Sequence, residues 1–222
     1  MTIEEYFKEW YKYIDRAELS KVIKTLKNLN KPFYPYLNNV FKAFELCPYN
    51  KLKCIWLAQD PYPNGAATGL AFANSIFSEE LSPSLNILKE AIINFEIPHN
   101  HTIFAPDLEE ITKQGILLLN SALTVEANKI GSHTMLWRPF IKRFIEEFVL
   151  YNPGTIWVLF GSQAQSFKPY IGNTQYIIEV GHPSYYARTQ QKMPRDWFIE
   201  LNKIIKDTTG ETIEWYKEIK FN

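Results

Sequence analysis

The chain has 222 residues, and its 24 Lys and Arg are balanced by 24 Asp and Glu, giving a formal net charge of zero. Hydrophobic residues make up 46% and aromatic residues 15%, which excludes a disordered chain and fits a single domain over residues 1–222. The charge balance excludes a uniformly basic nucleic-acid coat and a polybasic membrane binder, while leaving room for a DNA enzyme with a local basic face.

Thr2 followed by Glu5 has capping-box spacing and opens a predicted helix with Ile3, Tyr6, Phe7, Trp10 and Ile14 on one face. A second helical pattern runs through Leu19, Val22, Ile23 and Leu26. Four apolar runs of strand length follow at Cys54–Ala58, Ile116–Leu119, Thr155–Phe160 and Tyr176–Val180. Two cysteines, Cys47 and Cys54, cannot build a four-thiolate centre, and Cys54 reads as a buried reduced thiol. Ser82-Pro83 places an N-cap and a first-turn proline ahead of Leu85, Leu88, Ile92 and Phe95. His99 and His101 lie in a polar connector without a third ligand, so they read as solvated and no metal is expected. Asp107 with Glu110 predicts a short helix. Trp137, Phe140, Ile141, Phe144, Ile145 and Phe148 predict a long amphipathic one. Asp196 is expected to cap a last helix through Trp197, Leu201, Ile204 and Ile205. No apolar stretch approaches the roughly 18–20 residues of a membrane span. The first residues lack a basic-then-apolar signal, so a cytoplasmic chain is expected.

The four runs are apolar on both alternating faces or nearly so, as in strands covered by helices on two sides. Strands alternating with helices imply an α/β fold: a three-layer α/β/α sandwich with a central, mostly parallel four-stranded sheet. Each run ends in polar or special residues: Gln59-Asp60-Pro61-Tyr62-Pro63, Asn120-Ser121, Gly161-Ser162-Gln163 and Gly181-His182-Pro183-Ser184. The carboxyl ends of parallel strands share one edge, where open α/β sheets bind ligands. Singly, Asp60 reads as a turn residue, Asn120 as a turn cap and His182 as a strand exit. Together they indicate a pocket, but not yet a reaction.

Gln59-Asp60-Pro61-Tyr62, Gly69-Leu70-Ala71-Phe72, the run from Leu117 to Val125 and His182-Pro183-Ser184 resemble the signature of family 1 uracil-DNA glycosylases. Ser82-Pro83-Ser84-Leu85, Ser132-His133 and Gly161-Ser162-Gln163-Ala164-Gln165 resemble that family's DNA-gripping loops. The matches fall in order between Lys53 and Ala187. The resemblance implies extrusion of a uracil nucleotide from DNA and hydrolysis of its N-glycosidic bond, leaving an abasic site, with no cofactor. Phe72 would stack on the base, and Asn120 would pair with N3–H and O4. Tyr62 would stand against C5, and backbone near Gln59 would help bind the base. Asp60 would stabilise the cationic sugar and orient water, and neutral His182 would donate to O2. Ser84, His133, Ser162 and Ser184 would contact the DNA backbone. His133 could instead be an ordinary surface histidine.

The chain departs from the family pattern, which usually has Gly at Ala58, His at Pro63 and Pro-Leu at Tyr185-Tyr186. Tyr186 falls at the position of a wedge that fills the gap left by the flipped base. Uracil-containing DNA, single- or double-stranded, is the implied partner of a monomer. The alternatives are a uracil-DNA binding protein with weak or no catalysis, and an unrelated hydrolase using Ser162 or Ser184, which lacks a G-x-S-x-G elbow. Arg188, Lys192 and Arg195 form a basic segment beside the site. The acidic pairs Glu79-Glu80, Glu109-Glu110 and Glu146-Glu147 are expected elsewhere on the surface.

Overall fold

The computed structural model describes residues 2–93 and 101–219; Phe95 and His99 lie outside the described residues. Its centre is a parallel sheet of Cys54–Ala58 (β1), Ile116–Asn120 (β2), Ile156–Phe160 (β3) and Tyr176–Val180 (β4), in the order β2-β1-β3-β4. The expected three-layer α/β/α sandwich is what forms, with the sheet wholly parallel. Every side chain of β1, β2 and β3 is buried, as their two-sided apolar sequence requires. β4 is one of the two edge strands, and its Tyr176 and Glu179 are exposed.

Adjacent register positions show how two faces are covered. Trp56 pairs with Val158 while Trp157 pairs with Ile55, so the two indoles point to opposite sides. Trp157 meets Phe148 of helix Thr134–Tyr151, with ring centroids 6.0 Å apart. Behind it lie Phe144, Phe44 and Trp10. Trp56 meets Trp197 of helix Asp196–Thr209 at 5.6 Å and Trp215 at 5.5 Å. Cys47 and Cys54 are both buried and free, and burial pushes the Cys47 thiol up to about 12.

Several helices differ in detail from their sequence patterns. The capping box of Thr2 and Glu5 forms, but the α-helix stops at Phe7. Lys8 adopts a φ of 50°, and Lys8–Tyr13 continues as a 3-10 helix. The tighter turn carries the Trp10 indole N–H to Cys47 O at 2.9 Å and the Tyr13 hydroxyl to Tyr49 at 2.6 Å. The short helix begins at Glu109, with Asp107 Oδ1 accepting the Glu109 N–H at 3.3 Å. Asp196 is the first residue of its helix rather than the cap, a position held by Arg195. Two short antiparallel ribbons, Phe33–Tyr34 with Val125–Glu126 and Thr102–Ile103 with Lys217–Glu218, are additions that two-residue strands do not announce in sequence. Among the described residues no helix is long and apolar enough to cross a membrane.

Candidate active site

The chain leaves β1 for β2 on one side and later fills the other side with β3, so the sheet's switch point lies at the carboxyl end of β1. Gln59 and Asp60 emerge there. The loops after β1 and β2 stay zipped beyond the strands: Ser121 N–H donates to Ala58 O at 3.0 Å and Ala122 N–H to Gln59 O at 2.9 Å. Half-buried Asp60 accepts the Gly131 N–H on Oδ2 at 2.6 Å. Burial raises its carboxyl above the ordinary carboxylate value, while the Gly131 bond draws it back down.

His182 follows β4 at the same edge. Its Nδ1 accepts the Ser184 backbone N–H at 3.2 Å and lies 2.8 Å from Ser184 Oγ. A ring that accepts at Nδ1 carries its single proton on Nε2 when neutral. Burial, helped by the nearby charge of Arg188, lowers the imidazole to about 4. The ring is therefore a neutral hydrogen-bond donor at ordinary pH. Gly161, at the exit of β3, has a φ of +80°, and a Cβ there would stand 2.8 Å from His182 Cβ. Glycine is what admits the imidazole so close to the third strand.

Phe72 closes the space between these groups. Its φ is 66° and its ring centroid lies 5.7 Å from that of His182 and 4.9 Å from that of Phe160. The Tyr62 hydroxyl donates to Phe72 O at 2.8 Å, and burial pushes the phenol upward. The resulting cavity of about 110 Å³ is lined by Gln59, Asp60, Tyr62, Phe72, Ser84, His182 and Ser184, together with Pro61, Pro63, Ala67, Leu70, Ala73 and Ile130. Seven of the residues singled out in the sequence thus share one pocket.

The others are placed differently. Asn120 is paired in register with Ala58, only 3% exposed, and its Oδ1 finds no donor among the described residues. Ser162 is exposed in the short helix Gly161–Gln165, and Arg188 is exposed with its Nε donating to Ser184 O at 3.3 Å. His133 is not an ordinary surface histidine: it is 6% exposed, with Nδ1 held 2.8 Å from Thr124 Oγ1. Tyr186 is half-buried and folded back, so that a Cβ at Gly181 would lie 2.6 Å from its hydroxyl. Tyr185, 48% exposed, is the more open ring of the pair. Glu79-Glu80 lies in the connection between Phe72 and Ser84 and does not line the cavity. Sequence reasoning missed Gly131 and Ile130, because a backbone donor leaves no side-chain signal and a lone loop isoleucine resembles any other.

A profile of the "Uracil DNA glycosylase superfamily" matches residues 44–206. The chain belongs to this superfamily. It is 36% identical over 217 residues to a "Uracil-DNA glycosylase" of Campylobacter jejuni subsp. jejuni strain 81-176, covering 96% of this chain and 89% of that one. It is 34% identical over 220 residues to "Uracil-DNA glycosylase 1" of Listeria monocytogenes strain EGD-e, covering 96% of each. Among solved structures, mimivirus uracil-DNA glycosylase superposes with a TM-score of 0.72 at 21% identity, covering 97% of this chain and 93% of that one, a likeness of fold. The superfamily match includes all four strands and every residue placed around the cavity.

Proposed function

We propose that the cavity binds an extruded deoxyuridine and that its walls hydrolyse the N-glycosidic bond. The protein is a uracil-DNA glycosylase of base excision repair: it releases uracil from DNA and leaves an abasic site. The observation that carries the reading of the site is the sharing of one small cavity by the Asp60 carboxylate and a neutral His182 donor, closed by an aromatic ring.

Each group suits one part of a dissociative transition state. As the bond to the base lengthens, positive charge grows on the sugar and negative charge on the base. Asp60 stabilises the first electrostatically and orients or deprotonates the water that attacks C1′. The His182 Nε2–H donates to uracil O2 as the second develops. Because the imidazole is already neutral, it strengthens that bond without giving up its proton. Phe72 stacks on the base. The unpaired Asn120 Oδ1 is suited to the uracil N3–H, and its amide group to O4. Cytosine presents the opposite pattern and would leave both buried groups unpaired. Tyr62 stands where a thymine methyl would have to fit. Ser84, Ser162, Ser184 and Arg188 face the DNA backbone, and either single- or double-stranded DNA is accepted by a monomeric, cytoplasmic enzyme.

Uracil-containing oligonucleotides, single- and double-stranded, followed by alkaline cleavage at abasic sites, test this reading. The parent protein should release uracil, and Asp60→Asn should lose at least about a hundredfold in rate, the scale of a missing charge-stabilising group. Tight binding of both substrates without base release would instead mark a uracil-DNA binding protein.

A further inference from the structure

The loop Asp60–Pro63 is tied at two points to the segment 127–132. Asn128 N–H donates to Pro63 O at 2.8 Å, and Gly131 N–H donates to Asp60 Oδ2 at 2.6 Å. Asn128 and Gly131 both have left-handed backbones, with φ of 61° and 76°. Between them Ile130, 69% exposed, contributes to the cavity wall. The segment is in turn fixed at its ends. Ala127 N–H donates to Pro32 O at 2.9 Å, and Ser132 Oγ accepts the Glu126 N–H at 2.8 Å. Just beyond, Thr124 Oγ1 accepts the Trp137 indole N–H at 2.7 Å and meets His133 Nδ1 at 2.8 Å. These two buried contacts make the segment a braced strut rather than a free loop.

We propose that Gly131 is a positioning residue for the hydrolysis: its backbone N–H occupies Asp60 Oδ2 and so aims Oδ1 at the sugar and the attacking water. This rests on the reading of Asp60 as the catalytic carboxylate. Pro63, two residues after the start of that loop's proline pair, brings neither a side-chain donor nor an N–H to the carboxylate, so orientation falls to the backbone across the cavity. A carboxylate with one oxygen fixed by a charge-assisted bond presents the other in a defined direction. The same bond favours the ionised form against the cost of burial. The other titratable groups at the cavity are Tyr62 and His182. On the strut, Glu126 pairs with Lys31 at 2.9 Å, Lys129 is exposed and His133 is turned toward Thr124. On the helix after His182 the charge is Arg188, which acts on the imidazole.

The test compares three proteins with the parent over a range of pH. Gly131→Val puts a β-branched residue at a φ it resists, and Gly131→Asn puts there a residue that tolerates it. The third carries glycolic acid at position 131, introduced by nonsense suppression, so that an ester oxygen replaces the N–H alone. The ester and the valine variant should lower kcat at least about tenfold with KM within about twofold, and raise the acid limb of kcat by about one pH unit. Asparagine should recover most of the loss and return the limb toward its parental position. An ester variant with the parental kcat and acid limb overturns the proposal, and it decides the matter alone if the valine variant does not fold. Asp60→Asn run in parallel separates the two readings. Full activity there defeats the role of Asp60 itself, whereas an inactive Asp60→Asn beside a parental ester profile defeats only the role of Gly131.

Discussion

In the proposed mechanism His182 and Asp60 both act in their deprotonated forms, and their surroundings move them in opposite directions. Burial lowers the imidazole to about 4 and raises the carboxyl above its ordinary 3.8. Both groups therefore lose their working form as pH falls, so they act on the same acid side. The kcat/KM for uracil release, measured between about pH 4 and pH 8, should fall at acid pH with no break near the 6.5 of an ordinary histidine. A break at that value would show an imidazole that titrates as if exposed. Asp60 and His182 were marked in sequence because polar residues ending parallel strands share one edge, although each alone reads as a turn residue or strand exit and its role came only from the family resemblance. Gly131 was not legible, since its contribution is a main-chain N–H that every residue but proline possesses. The order of Tyr185 and Tyr186 could not reveal which ring folds over Gly181, because that depends on the turn after β4 and not on composition.

Strands and helices were legible wherever their periodicity was long. The stripe of Trp137, Phe140, Ile141, Phe144, Ile145 and Phe148 is wholly buried, as its spacing requires, on the helix Thr134–Tyr151. Phe144 touches Trp10, Phe44 and Phe148 across three elements. Phe144→Ala should cost about 3–5 kcal/mol in a urea unfolding series. Uracil release by the fraction that remains folded should be unchanged, because this layer lies behind the sheet rather than at its carboxyl edge. A loss confined to kcat, without loss of stability, would contradict that placement. The break at Lys8 was invisible for a different reason. No glycine or proline marks it, and it is imposed by the distant partners Cys47 and Tyr49 that draw Trp10 and Tyr13 into position.

Across the whole molecule, zero net charge conceals an uneven rim around the pocket. Arg195 is turned inward, its Nε donating to Ala91 O at 2.9 Å, so the basic segment beside the site is thinner than its sequence suggests. Glu79-Glu80 meanwhile lies in the loop that leads to Ser84 of the cavity wall, pinned by Asn74, which donates to Glu80 O at 3.3 Å and accepts the Ser82 N–H at 3.2 Å. Arg188→Gln should raise KM for DNA and flatten its dependence on log salt by about one unit of slope. Glu79→Gln with Glu80→Gln should lower KM at low salt, a gain that fades as salt screens the pair. Unchanged salt slopes in both proteins would remove this rim from the DNA path. The strand order also governs the birth of the enzyme. β1 leaves the ribosome first yet occupies the interior of the sheet, with both of its long edges waiting for β2 and β3. Until those later segments arrive, a run of five apolar residues stays unpaired on two sides, a hazard for association between nascent chains. Asp60 is thus synthesised early but acquires its pocket only when His182 has been made, so translation cannot yield a partly active fragment.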